Sequence, residues 1–156
     1  FVLTWGEEPA DLDSHVFVKN AAGGVVGHVY YSNKEYEDDN TSVNLDVDDR
    51  ESYGPETITL EKTSDDYTYS YYVYDFTNED SSTSDLLSLS SAKGSVYAGS
   101  KLLYSFHVPY SRSGTAWKLF DYTPSNGGLT IYNQMGWSTS SLEFGDSVDW
   151  DSSNDD

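Results

Sequence analysis

The segment Tyr67-Thr68-Tyr69-Ser70-Tyr71-Tyr72-Val73-Tyr74-Asp75-Phe76 decides the fold. Tyr67, Tyr69, Tyr71 and Val73 fall on one side of an extended chain, and Tyr72, Tyr74 and Phe76 on the other. A repeat of two, in residues that favour pleated backbone, is the signature of a strand. The alternate tyrosines are read as half core and half cross-strand cover, with a carbohydrate-stacking platform as the alternative.

Working outward, the same alternation predicts strands over 2–5, 14–19, 25–31, 44–47 and 57–61, then over 94–98, 102–108, 116–122 and 129–133. Clusters of Gly, Asn, Asp, Ser and Pro separate them at 20–24, 38–41, 63–66, 78–84, 111–114 and 124–128. No stretch carries a helical stripe. Short strands at this spacing predict an all-β fold, an antiparallel β-sandwich of jelly-roll or Ig-like arrangement, with a barrel as the other way of sharing one core. The reading is one module over 1–145 followed by an acidic Ser/Asp/Asn-rich tail or linker over 146–156, in which only Val148 and Trp150 are apolar.

Composition bounds the chemistry. The 156 residues contain no Cys, which excludes disulfides, thiolate metal sites and a cysteine nucleophile. Lys and Arg number 8 against 27 Asp and Glu, a net charge of −19 that repels phosphate backbones and anionic headgroups, so neither nucleic acid nor membrane insertion is expected. Such charge often accompanies disorder, but 15% aromatic residues can bury enough surface to fold the chain. The first residue is Phe1, and no basic or long apolar run marks a targeting or spanning segment, so the chain reads as excised from something longer.

Two segments carry candidate chemistry. In Asp11-Leu12-Asp13-Ser14-His15-Val16, extended geometry turns Leu12, Val16 and Val18 to one face and Asp11, Asp13 and His15 to the other. In Asn44-Leu45-Asp46-Val47-Asp48-Asp49, Leu45 and Val47 alternate with Asp46 and Asp48. If the two strands are neighbours, four carboxylates share a site. A pair 5 Å apart repels by roughly 3 kcal/mol at an effective dielectric near 20. A cation that takes six to eight oxygens at flexible geometry offsets that repulsion, and Ca²⁺ is such a cation.

These segments, with His28-Val29-Tyr30-Tyr31 and Tyr53-Gly54-Pro55-Glu56-Thr57-Ile58, resemble a bacterial surface-domain family marked by "DLDxH…YYxNK…LDxDxxxGYGPE". Its members occur in adhesins, large cell-wall proteins and YfaP-like periplasmic or secreted proteins. Phe106-His107-Val108-Pro109, Gly114-Thr115-Ala116-Trp117-Lys118-Leu119-Phe120 and Ile131-Tyr132-Asn133 are similar to its C-terminal half. The resemblance implies a β-sandwich, an extracellular or cell-surface setting, neighbouring domains in a parent protein, and calcium on Asp11, Asp13, Asp46, Asp48 and Asp49. Related modules of calcium-dependent adhesins bind peptides. Arg50-Glu51-Ser52 stands where the family often has small residues, and Arg50 is a candidate internal counterion.

Glu56 is a possible extra oxygen ligand. His15, Tyr53 and Trp137 are the candidates for contact with a peptide or glycan ligand, Trp137 as the exposed aromatic of a late loop. The structural expectation for His15 is a hydrogen bond to a neighbouring carboxylate, and His28 and His107 are read as structural. Two carboxylates suffice for a glycosidase, but so acidic a chain meets that criterion by chance. No nucleophile elbow, zinc motif or phosphate-cradling glycine loop is present. The expectation is therefore a monomeric, non-catalytic, calcium-stabilised binding module of a surface protein, with a structural spacer as second reading and a hydrolase as third.

Overall fold

The computed structural model describes residues 1–79, 81, 83–137 and the backbone of 149–150. The strands are β1 (Val2–Thr4), β2 (Leu12–Lys19), β3 (Val25–Val29), β4 (Glu35–Glu37), β5 (Ser42–Val47), β6 (Glu56–Lys62), β7 (Thr68–Asp75), β8 (Lys93–Ala98), β9 (Lys101–His107), β10 (Ala116–Thr123), β11 (Gly128–Trp137) and β12 (Asp149–Trp150). One sheet, A, has the order β4-β5-β6-β1-β8-β9 and the other, B, the order β12-β11-β10-β7-β2-β3. Every pairing is antiparallel. The chain is an all-β sandwich, as the alternation predicts.

The deciding strand lies at the centre of sheet B. Tyr69, Tyr71 and Val73 face the shared core with Leu12, Val16, Val18 and Trp117, while Tyr72 and Tyr74 pack with Phe17 and Ala116 in a second cluster. The core face stacks aromatics: Tyr71 lies 4.5 Å from Phe120, and Phe106 lies 5.2 Å from the same ring. The Tyr69 hydroxyl pairs with Thr41 Oγ1 at 2.7 Å and accepts the Ser64 N–H at 3.1 Å. From Tyr69 to Tyr74 the ladder is thus internal, and full burial of a large apolar side chain contributes about 1.5–3 kcal/mol.

The structure departs from the expectation in four places. Leu86–Leu89 is one turn of helix, α1, too short to show a stripe, which buries Leu87. β4 is an edge strand with two exposed glutamates flanking Tyr36, a pattern without enough apolar residues to register as a strand. β11 runs on to Trp137 because Met135 is fully buried, so Trp137 is a half-buried strand residue rather than the tip of an exposed loop. Asp149 and Trp150, read as part of the tail, pair with Trp137 and Gly136. The rest of 146–156 lies outside the described residues. Among those described, no helix is long and apolar enough to cross a membrane.

Two loops are stitched together at one end of the sandwich. Ser52 donates from its N–H to Ala10 O at 2.8 Å and from Oγ to Glu7 O at 2.6 Å; the Tyr53 N–H donates to Gly6 O at 2.9 Å, and Tyr53 O accepts the Trp5 N–H at 3.1 Å. Trp5 is buried beneath them, its Nε1 donating to Pro9 O at 2.9 Å. Gly54 has φ +76, and a Cβ there would meet the Trp5 ring at 2.8 Å and Leu3 O at 2.9 Å. Gly54→Ala is therefore expected to cost about 1–3 kcal/mol, through positive φ and overpacking together. Urea denaturation checks this, and an unchanged midpoint would show that the loop yields freely.

Candidate metal centre

The stitched loops lead directly into β2 and β6, and this sets the site. β3 pairs with β2 only from Val16 onward, so the edge of β2 before Val16 is free on that side. Into this edge comes the first residue of β6: the Ser14 N–H donates to Glu56 Oε1 at 2.5 Å. Both Asp13 and Glu56 are 1% exposed. Asp48 reaches them from the chain just past β5, its side chain 11% exposed.

Oxygens of Asp13, Asp48 and Glu56 all lie within 4.8 Å of one another. Two oxygens on one Ca²⁺ at 2.3–2.6 Å are at most about 5 Å apart, so the spacing suits a shared ion. This buried acidic triad can hold a metal. Asp11 adds a fourth carboxylate, within electrostatic reach of both Asp13 and Asp48. Asp11 Oδ1, Asp13 Oδ2, Asp48 Oδ1 and Glu56 Oε2 are each buried without a hydrogen-bond partner among the described residues. Buried polar atoms normally have partners, and each orphan costs about 1–3 kcal/mol, more if charged. Four orphaned oxygens from four adjacent carboxylates are what an oxygen-liganded cation would satisfy.

The electrostatics point the same way. Burial pushes Asp13 up to about 8, and the charges of Asp11 and Asp48 add to it. Burial likewise pushes Glu56 up to about 9, against the lowering effect of the Ser14 N–H. Asp11 is raised, again chiefly by burial. Asp75, opposite Leu12 on β7, is raised to about 6 by burial, while the Asn78 amide and backbone N–H hold its carboxylate in place.

Of the five metal candidates, Asp11, Asp13 and Asp48 are brought together. Asp49 stands at the rim, where its Oδ1 accepts the Glu51 N–H at 2.8 Å in a turn. Asp46 is directed elsewhere: it is exposed and accepts the Thr59 hydroxyl. The cause is a bulge between Leu45 and Val47, which breaks the alternation, leaves Val47 exposed and turns Asp48 inward. Glu56, weighed as an extra ligand, is central to the cluster.

Arg50 is exposed but its charge works against the raised pKa of both Asp11 and Asp13, and among the described residues Lys34 forms an ion pair with the cluster, 3.4 Å from Asp48 Oδ2. His15 is fully buried, and its Nδ1 pairs with His28 Nε2 at 2.8 Å rather than with a carboxylate. It also stacks against Tyr30, while Phe17, His28 and Tyr30 stack in turn. Burial holds the His15 imidazole well below its ordinary range, and His28 near 4. Tyr53, 59% exposed with φ 73, stands in the turn that closes the cluster. No family model matches the chain, and no curated protein or solved structure matches it either.

Proposed function

We propose that this chain is a non-catalytic binding module whose carboxylate cluster holds Ca²⁺, and that it works in an extracellular, cell-surface setting. The observation that carries the metal is the set of four orphaned oxygens on Asp11, Asp13, Asp48 and Glu56. Calcium is favoured over Mg²⁺ because the ligands are all oxygens on two loops and two strand ends. That is a flexible set, whereas Mg²⁺ demands a near-ideal octahedron at 2.0–2.1 Å. Transition metals of the softer kind find no thiolate here, and the ligands that converge are all carboxylates.

The surface setting rests on the resemblance of the acidic motifs, and calcium at about 0.1–1 mM affinity suits extracellular modules. Exposed Tyr53 beside the cluster is where a peptide or glycan ligand would first meet the site. A hydrolase is less well supported. Asp13 and Glu56 have raised pKa values, but they are packed against each other, and neither lines the inter-sheet cavity.

Titration calorimetry of chelator-treated protein with calcium tests the reading, and absence of heat together with absence of any melting shift would overturn it. The variants are specific. Asp13→Asn and Asp48→Asn are expected to weaken calcium binding by an order of magnitude or more. Asp46→Asn, despite its place in the same acidic motif, should change it no more than Asp65→Asn, a control in an exposed turn. Loss of binding in the Asp46 variant would show that the bulge is not held in solution.

A further inference from the structure

Among the described residues, sheet A contains a gap one strand wide. β1 bridges β6 and β8 only briefly: Val2 faces Thr57 and Ser95, and Leu3 faces Glu56 and Gly94. Phe1 adds one more rung, its ammonium donating to Ile58 O at 2.8 Å and its carbonyl accepting the Ile58 N–H at 3.0 Å. β6 then continues to Lys62 and β8 to Ala98 with nothing described between them. Strands that share one neighbour stand about 9.6 Å apart, so the gap has the width of a strand.

The edges of the gap are backbone. In an antiparallel ladder alternate residues address the same neighbour. Ile58 gives both of its groups to Phe1, so Leu60 turns its N–H and C=O into the gap. Val2 and Ser95 are partners on the other side, so Tyr97 does the same from β8. Beneath lies a largely apolar cavity of about 440 Å³, with Leu60 and Val96 on its walls and Tyr71, Phe120, Tyr122 and Leu129 of sheet B below. Phe1 fills one end of it, its ring 5.2 Å from Tyr71.

We propose that this gap seats a strand segment joined to the Phe1 nitrogen, a continuation of β1 that pairs with Leu60 on β6 and Tyr97 on β8. A residue attached to that nitrogen enters the gap directly, because the nitrogen already aims at Ile58 in the ladder. The register then assigns the side chains. Phe1 points inward, so the residue before it points out beside Thr59 and Tyr97, and the second before it points into the cavity. That second position takes an apolar side chain. The ammonium itself fits the place poorly: burial lowers its pKa, and only Asp46 works against that. A peptide nitrogen there carries no charge and keeps the hydrogen bond to Ile58.

The test extends the chain with Val-Thr-Val-Thr ahead of Phe1, which puts valines inward. Differential scanning fluorimetry and amide hydrogen exchange are compared with three controls: Thr-Val-Thr-Val ahead of Phe1, the chain with an acetylated Phe1, and the unextended chain mixed with the free acetylated Val-Thr-Val-Thr amide. The expected result is a rise of several degrees in Tm, with exchange at Leu60 and Tyr97 slowed by about an order of magnitude or more. The inverted extension should give a clearly smaller effect. Equal effects from both extensions would overturn the register. An equal gain from acetylation alone would reduce the effect to charge removal and overturn the strand. Protection by the free peptide but not by the extension would make the gap a docking site for another chain, which also overturns the proposal.

Discussion

Chelator-treated protein is expected to melt roughly 5–10 °C below the calcium-saturated protein. With calcium about a hundredfold above its dissociation constant, linkage adds about 2.7 kcal/mol, and a domain of this size shifts by about 2–4 °C per kcal/mol. The physical source is the cluster itself. Without a cation, Asp13, Asp48 and Glu56 crowd within 4.8 Å, so they either repel as charges, by about 3 kcal/mol for a pair at an effective dielectric near 20, or take up protons to stay neutral, and calcium removes both costs. Magnesium at the same concentration should restore only a minor part. A melting temperature indifferent to calcium, measured by calorimetry after dialysis against chelator, would leave Lys34 and Arg50 as the counterions and remove the metal from the account.

The second large effect is on pH, and its direction reverses with calcium. In the metal-free protein Asp13 and Glu56 are raised to about 8 and about 9, well above the value of about 4 in an unfolded chain. The folded state then binds more protons than the unfolded one at neutral pH. The corresponding stability is complete below about pH 4 and is lost as pH rises through 8 and 9. Calcium requires both groups ionised, so it must expel those protons. The calcium-induced gain in Tm should be small near pH 5 and largest near pH 9, and binding at pH 7 should release up to about two protons. Calorimetry in buffers of different ionisation enthalpy reads that number. Glu56→Gln keeps an acceptor for the Ser14 N–H while removing the titration. It should lower calcium affinity by an order of magnitude or more and abolish one released proton without unfolding the domain. Affinity that does not vary between pH 6 and 9 would sink this account.

Much of this architecture is legible in the chain. The Tyr67–Phe76 alternation puts Tyr69, Tyr71 and Val73 on one face and Tyr72 and Tyr74 on the other, and the structure turns the first set to the shared core and buries the second in a smaller cluster. The acidic motifs mark five candidates, Asp11, Asp13, Asp46, Asp48 and Asp49, and leave open whether their two strands are neighbours; the structure brings Asp11, Asp13 and Asp48 together. Local pattern fails where pairing is irregular. Alternation through Leu45, Asp46, Val47 and Asp48 equates the two aspartates, and only the bulge, a property of β5 against β6, separates them. Glu56 reads as the end of a turn because its partner, the free edge of β2, is 42 residues away. His15 pairs with His28 through a hairpin register that no single strand reveals. Asp75 is hidden among tyrosines and shows its proximity to Asp11 only in three dimensions.

The bulge between Leu45 and Val47 also makes chain length a determinant of chemistry. With Asp46 as the additional residue, Val47 points to solvent and Asp48 faces Asp13. Deleting that one residue would leave Leu45 opposite Ile58 and Val47 opposite Thr57 as consecutive pairs, so Asp48 would keep its place and the cluster its carboxylate. An insertion between Val47 and Asp48 has no such slack and would carry Asp48 to the other face. In this strand the spacing between residues is as much a part of the binding site as their identity, and an added residue here can erase a ligand that no substitution has touched.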